Sequence, residues 1–155
     1  MTRLRLIPLV LCLGLLAQCQ SSPVQLPVLG GSRMSDEEQI AMILDDVQQG
    51  MQQRRIYKVL AHVSRNYRDK AGRDYQGIQD YLNNIFERYR NIRITRARPR
   101  VWVQGNRAEA LEAFGTNAEA IHSDQDLDIH LQGQVTVYLE KVDGVWKIVE
   151  WGPIQ

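Results

Sequence analysis

The chain has 155 residues, and its 19 Lys and Arg residues nearly balance its 18 Asp and Glu residues, for a formal net charge of +1. This balance excludes the broadly basic composition of a nucleic-acid-binding protein and gives no overall attraction to an anionic membrane, so either partner would need a local cluster of charge. The length and the 44% hydrophobic content fit one domain with its own core.

The first residues have the pattern of a secretory signal peptide. Arg3 and Arg5 supply a positive start, and an apolar run follows at residues 6–17. Crossing a bilayer as a helix takes about 20 apolar residues, so this run is too short for a permanent membrane span. We therefore expect residues 1–18 to be removed from the mature protein. Two of the 19 basic residues and no acid leave with them, so 17 basic and 18 acidic residues remain.

Residues 16–19, with the sequence LAQC, resemble the lipobox of bacterial lipoproteins, whose cysteine becomes the lipidated first residue of the mature chain. The first two positions match that pattern, whereas Gln18 replaces the small residue that usually precedes the cysteine. The cysteine count also favours lipidation, because Cys12 leaves with the signal and Cys19 then has no partner for an internal disulfide. The alternative is ordinary secretion with cleavage near Cys19.

The lipobox resemblance implies a location in the cell envelope. Gln20 follows Cys19 in place of Asp, which in Gram-negative lipoproteins favours the outer membrane; the alternative is a soluble periplasmic or secreted protein. Residues 20–33 contain two prolines, two glycines and no regular periodicity, which is typical of a flexible tether. We expect the lipidated cysteine and tether of residues 19–34 to hold a folded domain, residues 35–155, at the membrane, facing the periplasm.

The first part of this domain has the periodicity of helices. Ser35 and Glu38 form a capping-box pattern, and apolar residues then recur at three- and four-residue spacing along one face. Residues 56–64 form a short second helical segment. Residues 64–77 are polar and predict a turn or small hairpin. The same apolar spacing then predicts a third helix over residues 78–89.

After the third predicted helix the apolar period changes to two, which predicts β-strands. The clearest strand covers residues 127–140, where apolar side chains from Leu127 to Leu139 fall on one face. Gly105-Asn106 predicts an earlier two-residue turn. Polar side chains take the other face of the long strand, so that face is expected to be solvated or to contact a second copy of the chain.

Asp143-Gly144 predicts a type I′ hairpin near the end of the chain. Folding about this turn sets Leu139 opposite Ile148, so that apolar residues pair across the hairpin. The same register puts Trp146 on the face toward the helices. We therefore expect the terminal hairpin to be the most stable part of the domain.

Helices followed by a long antiparallel meander make an α+β domain with segregated elements. The order helix, helix, polar turn containing SRNYRD, helix, and strands ending in VTVYLEKVDGVWKIVEW resembles the nuclear transport factor 2-like superfamily, also called SnoaL-like. The resemblance covers residues 36–153. It implies three N-terminal helices packed on a curved antiparallel sheet, a cone-shaped, cystatin-like fold. Members include isomerases, dehydratases and hydrolases as well as ligand-binding and dimerisation modules, so the fold leaves function open.

Two glutamates are the candidate catalytic residues, and each has a structural alternative. The hairpin register puts Glu150 opposite Val137, on the face of Trp146, where apolar surroundings would raise the pKa of the carboxyl group toward the range of a general base. The alternative, which we favour, is an exposed residue at the open edge of the last strand. Glu112 shares the parity of the inward apolar positions in its strand, but Glu109 competes with it for that role.

Arginines cluster in the middle of the chain, with seven of them and no acid between residues 88 and 107. Strict alternation places Arg96, Arg98 and Arg100 on one strand face. Such a row fits the phosphates of lipid headgroups or another polyanion, because arginine offers bidentate donors. The alternative is a solvated strand face that the acidic run at residues 119–128 neutralises.

No motif implies a cofactor or a metal, since the three histidines lack ligand spacing and no glycine-rich phosphate loop or nucleophile elbow occurs. Two functions remain. We favour a non-catalytic envelope lipoprotein whose cone binds a small apolar ligand, or whose sheet face binds a partner or a second copy. The alternative is a SnoaL-like enzyme that uses Glu112 or Glu150 as a base. A cone plugged by Trp146, Phe86 and Phe114 would favour the first, and an open cavity with converging polar groups the second.

Overall fold

A computed structural model describes residues 34–155 of the chain. The predicted signal peptide, Cys19 and the tether up to residue 33 lie outside the described residues. In the described part, no helix is long and apolar enough to cross a membrane. Three helices come first there and five strands follow: α1 (Asp36–Gln52), α2 (Ile56–Leu60), α3 (Tyr75–Arg88), β1 (Tyr89–Arg96), β2 (Arg100–Gln104), β3 (Arg107–Ala120), β4 (Ile129–Val142) and β5 (Val145–Trp151).

Helix α1 begins where the capping box predicts. The Ser35 hydroxyl accepts a hydrogen bond from the Glu38 backbone N–H at 3.2 Å, and the Glu38 carboxylate accepts one from the Ser35 N–H at 2.9 Å. Acidic residues occupy the first turn, where they interact favourably with the helix dipole. Ile40, Ile43 and Leu44 are buried in the main core, so the predicted apolar face of this helix is confirmed.

A buried carboxylate organises the segment between α2 and α3. Asp69 accepts hydrogen bonds from the Tyr67 hydroxyl, from the Arg73 side chain and from two backbone N–H groups of its own loop. The Asp74 side chain then caps α3 by accepting from the Gly77 N–H at 2.9 Å. The helix therefore begins directly after Asp74. The prediction that the turn continues to Gly77 is wrong, because this cap starts the helix earlier.

The five strands form one antiparallel sheet in the order β1-β3-β4-β5, and β2 also pairs with β3. Strands β1 and β2 lie along the same side of β3 at its two ends: β1 pairs with residues 114–120 and β2 with residues 107–111. The sheet curls into a half-barrel that packs against helices. The expected α+β class with a curved antiparallel sheet is confirmed.

The terminal hairpin has the predicted turn, and its predicted register holds from the turn as far as Leu139 and Ile148. Asp143 and Gly144 have φ values of 50° and 79°, the left-handed conformations that a type I′ turn requires. Leu139 lies opposite Ile148, as predicted. At the other end of β4 the prediction fails for Leu127, which is 86% exposed and precedes the strand. There the Asp128 carboxylate accepts a hydrogen bond from the Ala120 N–H and closes the connection before β4 begins.

The main core lies between the helices and the inner face of the sheet, which is the face turned toward them. Its largest fully buried side chains come from α1, α2, the loop after α2, β4 and β5: Trp146, Tyr67, Ile40, Leu139, Ile148, Val59 and Val137. The Trp146 indole N–H also donates to Asp36 Oδ1 at 2.9 Å. Phe86 is buried in a second cluster around the start of β1. The predicted helix-facing position of Trp146 is confirmed.

The outer edge of β5 is covered by the segment that follows α2. Ile148 N–H donates to the His62 carbonyl and the Ser64 N–H donates to the Ile148 carbonyl, both at 2.8 Å. The Arg68 N–H donates to the Val149 carbonyl at 2.9 Å. An unpaired strand edge invites pairing with other chains, so these bonds protect the last strand. They also fix the loop that carries Tyr67 against the sheet.

Candidate functional site

Glu112 is the carboxylate of β3 that points toward the helices. It lies opposite Val135 of β4 and shares its face with the fully buried Ala110. Its Oε1 atom lies 2.6 Å from Arg96 Nη1, and the two side chains are only 12% and 8% exposed. Glu109, with the other parity, faces outward.

The Arg96 guanidinium joins α1 to two strands. Its Nε atom donates to Gln48 Oε1 at 2.6 Å, and its Nη2 atom contacts the Asp45 carboxylate. The Gln48 amide in turn donates to the Ile94 carbonyl of β1 at 2.7 Å. This network uses the arginine as a rigid connector, because the planar guanidinium holds several acceptors in fixed directions.

The environment of Glu112 suits a structural carboxylate better than a general base. Burial raises the pKa of Glu112 above its ordinary 4.5, while the charge and hydrogen bond of Arg96 oppose that shift. A general base must present a free acceptor to its substrate. Glu112 Oε1 accepts from Arg96, and this bond ties β1 and β3 together beneath α1, so only the other oxygen, Oε2, could act on a substrate.

The arginine row predicted from strict alternation does not exist. Arg96 ends β1 and lies opposite Phe114, on the inner face, whereas Arg100 begins β2 and lies opposite Leu111, on the outer face. Arg98 belongs to the connection between the two strands. The alternation of side chains predicts the sheet face of a residue only within one continuous strand. Here the connection separates Arg96 and Arg100 into two strands. The prediction of one shared face for the three arginines is wrong.

Glu150 faces away from the helices, against the predicted hairpin register, and it is half-buried beside an edge that residues 62–68 cover, so the favoured alternative of an exposed residue at an open edge does not describe it either. The pair Leu139–Ile148 is followed by the pair Tyr138–Glu150, so β5 contains one extra residue at Val149. Such a bulge moves the following side chains to the other face of the strand. Trp151 takes the inward position opposite Val137 that was predicted for Glu150. Glu150 therefore does not belong to the cone interior.

Four side chains form a line across the outer face of the sheet, one from each of β2, β3, β4 and β5. They are directly opposed on adjacent strands: Trp102 lies opposite Glu109, Glu109 opposite Tyr138, and Tyr138 opposite Glu150. We call these four residues the outer row. Directly opposed side chains on one sheet face contact each other. The outer row therefore alternates an aromatic ring with a carboxylate along its whole length.

A groove of about 620 Å³ runs along the outer row, and all four of its members line it. We call it the outer groove. Trp102 is 51% exposed there. Arg107 also lines the groove, but its Nε atom lies 3.2 Å from Glu140 Oε1, so its charge is paired. Glu150 Oε1 is shielded from solvent and has no hydrogen-bond donor among the described residues. A buried oxygen without a donor is costly, so turning the Glu150 side chain toward the groove, where a donor can reach this oxygen, is favourable.

Trp102 and Tyr138 were not predicted as site residues. A signal for Tyr138 was present, because it falls on the polar parity of the long predicted strand, between Val137 and Leu139. An aromatic residue on the polar face of a strand is a candidate for binding. The link to Glu150 was hidden, because the bulge carries no glycine or proline in the sequence. Within residues 34–155 no group of three His, Cys, Asp or Glu side chains is arranged to hold a metal.

No protein-family model matches the sequence, and no curated protein matches it significantly. Solved structures nevertheless resemble its fold. One is a nuclear transport factor 2-like superfamily protein from Salmonella enterica serovar Typhimurium, with 16% identity and a TM-score of 0.64 over 75% of this chain and 87% of that one. Another is hexachlorocyclohexane dehydrochlorinase LinA-type3 from Novosphingobium barchaimii, with 16% identity and a TM-score of 0.64 over 76% and 84%.

A third is a cystatin-like protein of unknown function from Nostoc punctiforme, with 11% identity and a TM-score of 0.61 over 79% of this chain and 92% of that one. Identities this low establish shared architecture and leave activity open. These neighbours agree with the helices and the curled antiparallel sheet described above. Residues 34–155 therefore have the nuclear transport factor 2-like, or cystatin-like, α+β fold.

Proposed function

We propose that this chain is a lipoprotein of the bacterial cell envelope, anchored through Cys19, whose domain binds a small ligand in the outer groove without catalysis. One contrast between two carboxylates supports this proposal. Glu112, inside the cone, accepts from Arg96 at 2.6 Å. Glu150, on the outer face, keeps a shielded oxygen that has no donor among the described residues.

The interior offers little support for catalysis. Trp146 and Tyr67 are each 1% exposed and fill the space between the helices and the sheet near β5. Farther along the cone, the Arg96 network occupies the gap beneath α1. Catalysis needs a reacting group with free access to a substrate. Binding needs a concave surface with a few polar groups, and the outer groove, with its volume of about 620 Å³ and its lining of Glu109 and Glu150, supports that role.

The proposed anchor rests on the sequence pattern around Cys19 and on the tether of residues 19–34. Feeding an alkyne fatty acid to expressing bacteria tests it. The wild-type protein should become labelled, and so should Cys12→Ala, the matched control, because Cys12 lies in the predicted signal. Cys19→Ala should lose the label. Label that persists in Cys19→Ala would refute lipidation at that residue.

Binding in the outer groove can be tested through the three tryptophans, which give three indole N–H signals in an NMR spectrum. The purified full chain in detergent micelles is screened against small neutral, anionic and cationic compounds. A groove ligand should shift the Trp102 signal and leave that of the buried Trp146 in place. Assignment of the signal comes from Trp102→Phe. A screen in which no compound moves Trp102 would contradict a ligand-binding role for the groove.

An enzymatic role for Glu112 is the second candidate. The raised pKa of Glu112 favours it, because a carboxyl group with a raised pKa is better suited to proton transfer near neutral pH. Its substrate would have to enter beneath α1 and reach Glu112 Oε2, the oxygen that Arg96 does not bind. In the same NMR screen, a compound that shifts the Arg96 side-chain signals but not Trp102 would favour this alternative.

A further inference from the structure

The outer row places two aromatic rings and two carboxylates in alternation on neighbouring strands. Adjacent strands are about 4.8 Å apart, so Glu109 and Glu150 lie about 10 Å from each other with Tyr138 between them. Trp102 flanks Glu109 on its other side. Each carboxylate therefore has an aromatic ring as its direct neighbour, and Glu109 has one on each side.

We propose that the outer groove binds an alkylammonium ligand with at least two amino groups, that is, a di- or polyamine. This inference rests on the proposed ligand-binding role of the groove. An ammonium group over the face of an aromatic ring is attracted by the ring quadrupole, and a neighbouring carboxylate adds a charged hydrogen bond. Glu109 and Glu150 form no ion pair with any described residue, so both are available to such a ligand.

The spacing suits a ligand with separated charges. One ammonium group can lie near Glu150 and Tyr138, while a second lies near Glu109 and Trp102. The alkyl chain between them then crosses the ring of Tyr138, where it replaces water on an apolar surface. The outer groove, at about 620 Å³, falls within the usual range for small-molecule sites.

The buried Glu150 oxygen also favours a ligand that donates hydrogen bonds. Glu150 lines the outer groove, and its shielded Oε1 atom has no donor among residues 34–155, so a groove ligand reaches that oxygen when the side chain turns toward the groove. An anionic ligand or one with only acceptors would add a second unsatisfied group beside it. An ammonium group supplies up to three donors and the opposite charge.

The test is calorimetric titration of the full chain in detergent micelles with spermidine. A neutral glycol of similar length serves as the ligand control. Spermidine should bind saturably and more weakly as salt is raised, while the glycol should not bind. Glu150→Gln, Glu109→Gln and Trp102→Leu should each weaken spermidine binding about tenfold, the scale of one charged or cation–π contact. Melting temperatures of all variants establish that they fold.

Glu119→Gln is the matched control. Glu119 lies on β3 and on the outer face, as Glu109 does, but it pairs with Arg90 at the far end of the strand. Its affinity for spermidine should equal that of the wild type. Equal loss in Glu119→Gln and Glu150→Gln would overturn the proposal, since it would indicate nonspecific charge attraction. If spermidine did not bind but a neutral or anionic compound still shifted the Trp102 signal, the proposed amine ligand would be wrong. The ligand-binding role of the outer groove would then still stand. No shift of Trp102 by any compound would overturn both proposals.

Discussion

Glu112 Oε1 and Arg96 Nη1 lie 2.6 Å apart beneath α1, and this ion pair connects the two strands β1 and β3. Both side chains are almost fully removed from solvent. Burying two charges costs free energy that their attraction offsets only when both partners are present. Removing either residue therefore leaves the other as a buried charge without a partner, and the stability of the domain depends on both.

Replacing Arg96 alone should destabilise the domain strongly. Arg96→Met leaves Glu112 as a buried charge without its partner, a change that typically costs about 3–5 kcal/mol. The double variant Arg96→Met/Glu112→Leu should regain most of that loss, because both charges are gone. Arg100→Met, on the exposed face of β2, should stay within about 0.5 kcal/mol of wild type. Urea unfolding measures all three, and a double variant no more stable than the single one would contradict the ion-pair argument.

Glu112 should give stability a pH dependence of known sign. Burial raises its pKa above the ordinary 4.5, so the folded state holds this proton more tightly than the unfolded chain does. The group therefore favours folding most below pH 4.5, and that contribution is lost as the pH rises through the raised pKa. Glu112→Gln removes the titration. Unfolding free energies from pH 4 to 7 should show the wild type losing stability relative to Glu112→Gln; a relative gain would show that the shift has the opposite sign.

Asp69 should give stability a pH dependence opposite to that of Glu112, so that stability falls as the pH is lowered. Burial opposes its ionisation, but hydrogen bonds from the Arg73 side chain and backbone and from Tyr67 outweigh this, so its pKa is lowered below 3.8. Its contribution to stability is therefore present above pH 3.8 and is lost as the pH falls through the lowered pKa. Asp69→Asn should flatten acid unfolding in that range. An acid unfolding curve identical to that of the wild type would exclude this role for Asp69.

The two faces of the sheet should differ sharply in their response to loss of a tryptophan. Trp146 is 1% exposed and donates to Asp36, so Trp146→Ala should cost about 3–5 kcal/mol, a large part of the roughly 5–15 kcal/mol that stabilises a small domain. Trp102→Ala, on the outer face, should cost less than about 1 kcal/mol. Thermal melting compares them. Similar melting temperatures for the two variants would mean that the faces are wrongly assigned.

Continuous periodic segments were predictable from the sequence. The capping box at Ser35 set the start of α1, and the turn at Asp143-Gly144 set the register of the terminal hairpin, because these signals are local and the side-chain period follows from them. The strands followed from the change of period after the third helix. These features depend on neighbouring residues alone, whereas the curvature of the sheet was expected only from the resemblance to the nuclear transport factor 2-like superfamily.

The site was not predictable in the same way, because two interruptions changed the faces of its residues. The extra residue at Val149 moved Glu150 outward, and a bulge without glycine or proline has no clear sequence signal. The break between Arg96 and Arg100 put them on opposite faces. Pro99 was a usable signal for that break, since proline rarely lies inside a paired strand. Cross-strand neighbours such as Glu109 and Tyr138 meet only through the folded register.

The central claim is that the ligand binds on the outer face of the sheet and not inside the cone. The most direct measurement compares spermidine affinity in Glu150→Gln, which changes the outer groove, and in Glu112→Gln, which changes the interior. We predict that Glu150→Gln binds about tenfold more weakly than wild type, the effect of roughly 1.4 kcal/mol, while Glu112→Gln stays within about twofold. Unchanged binding in Glu150→Gln together with lost binding in a folded Glu112→Gln would contradict the claim.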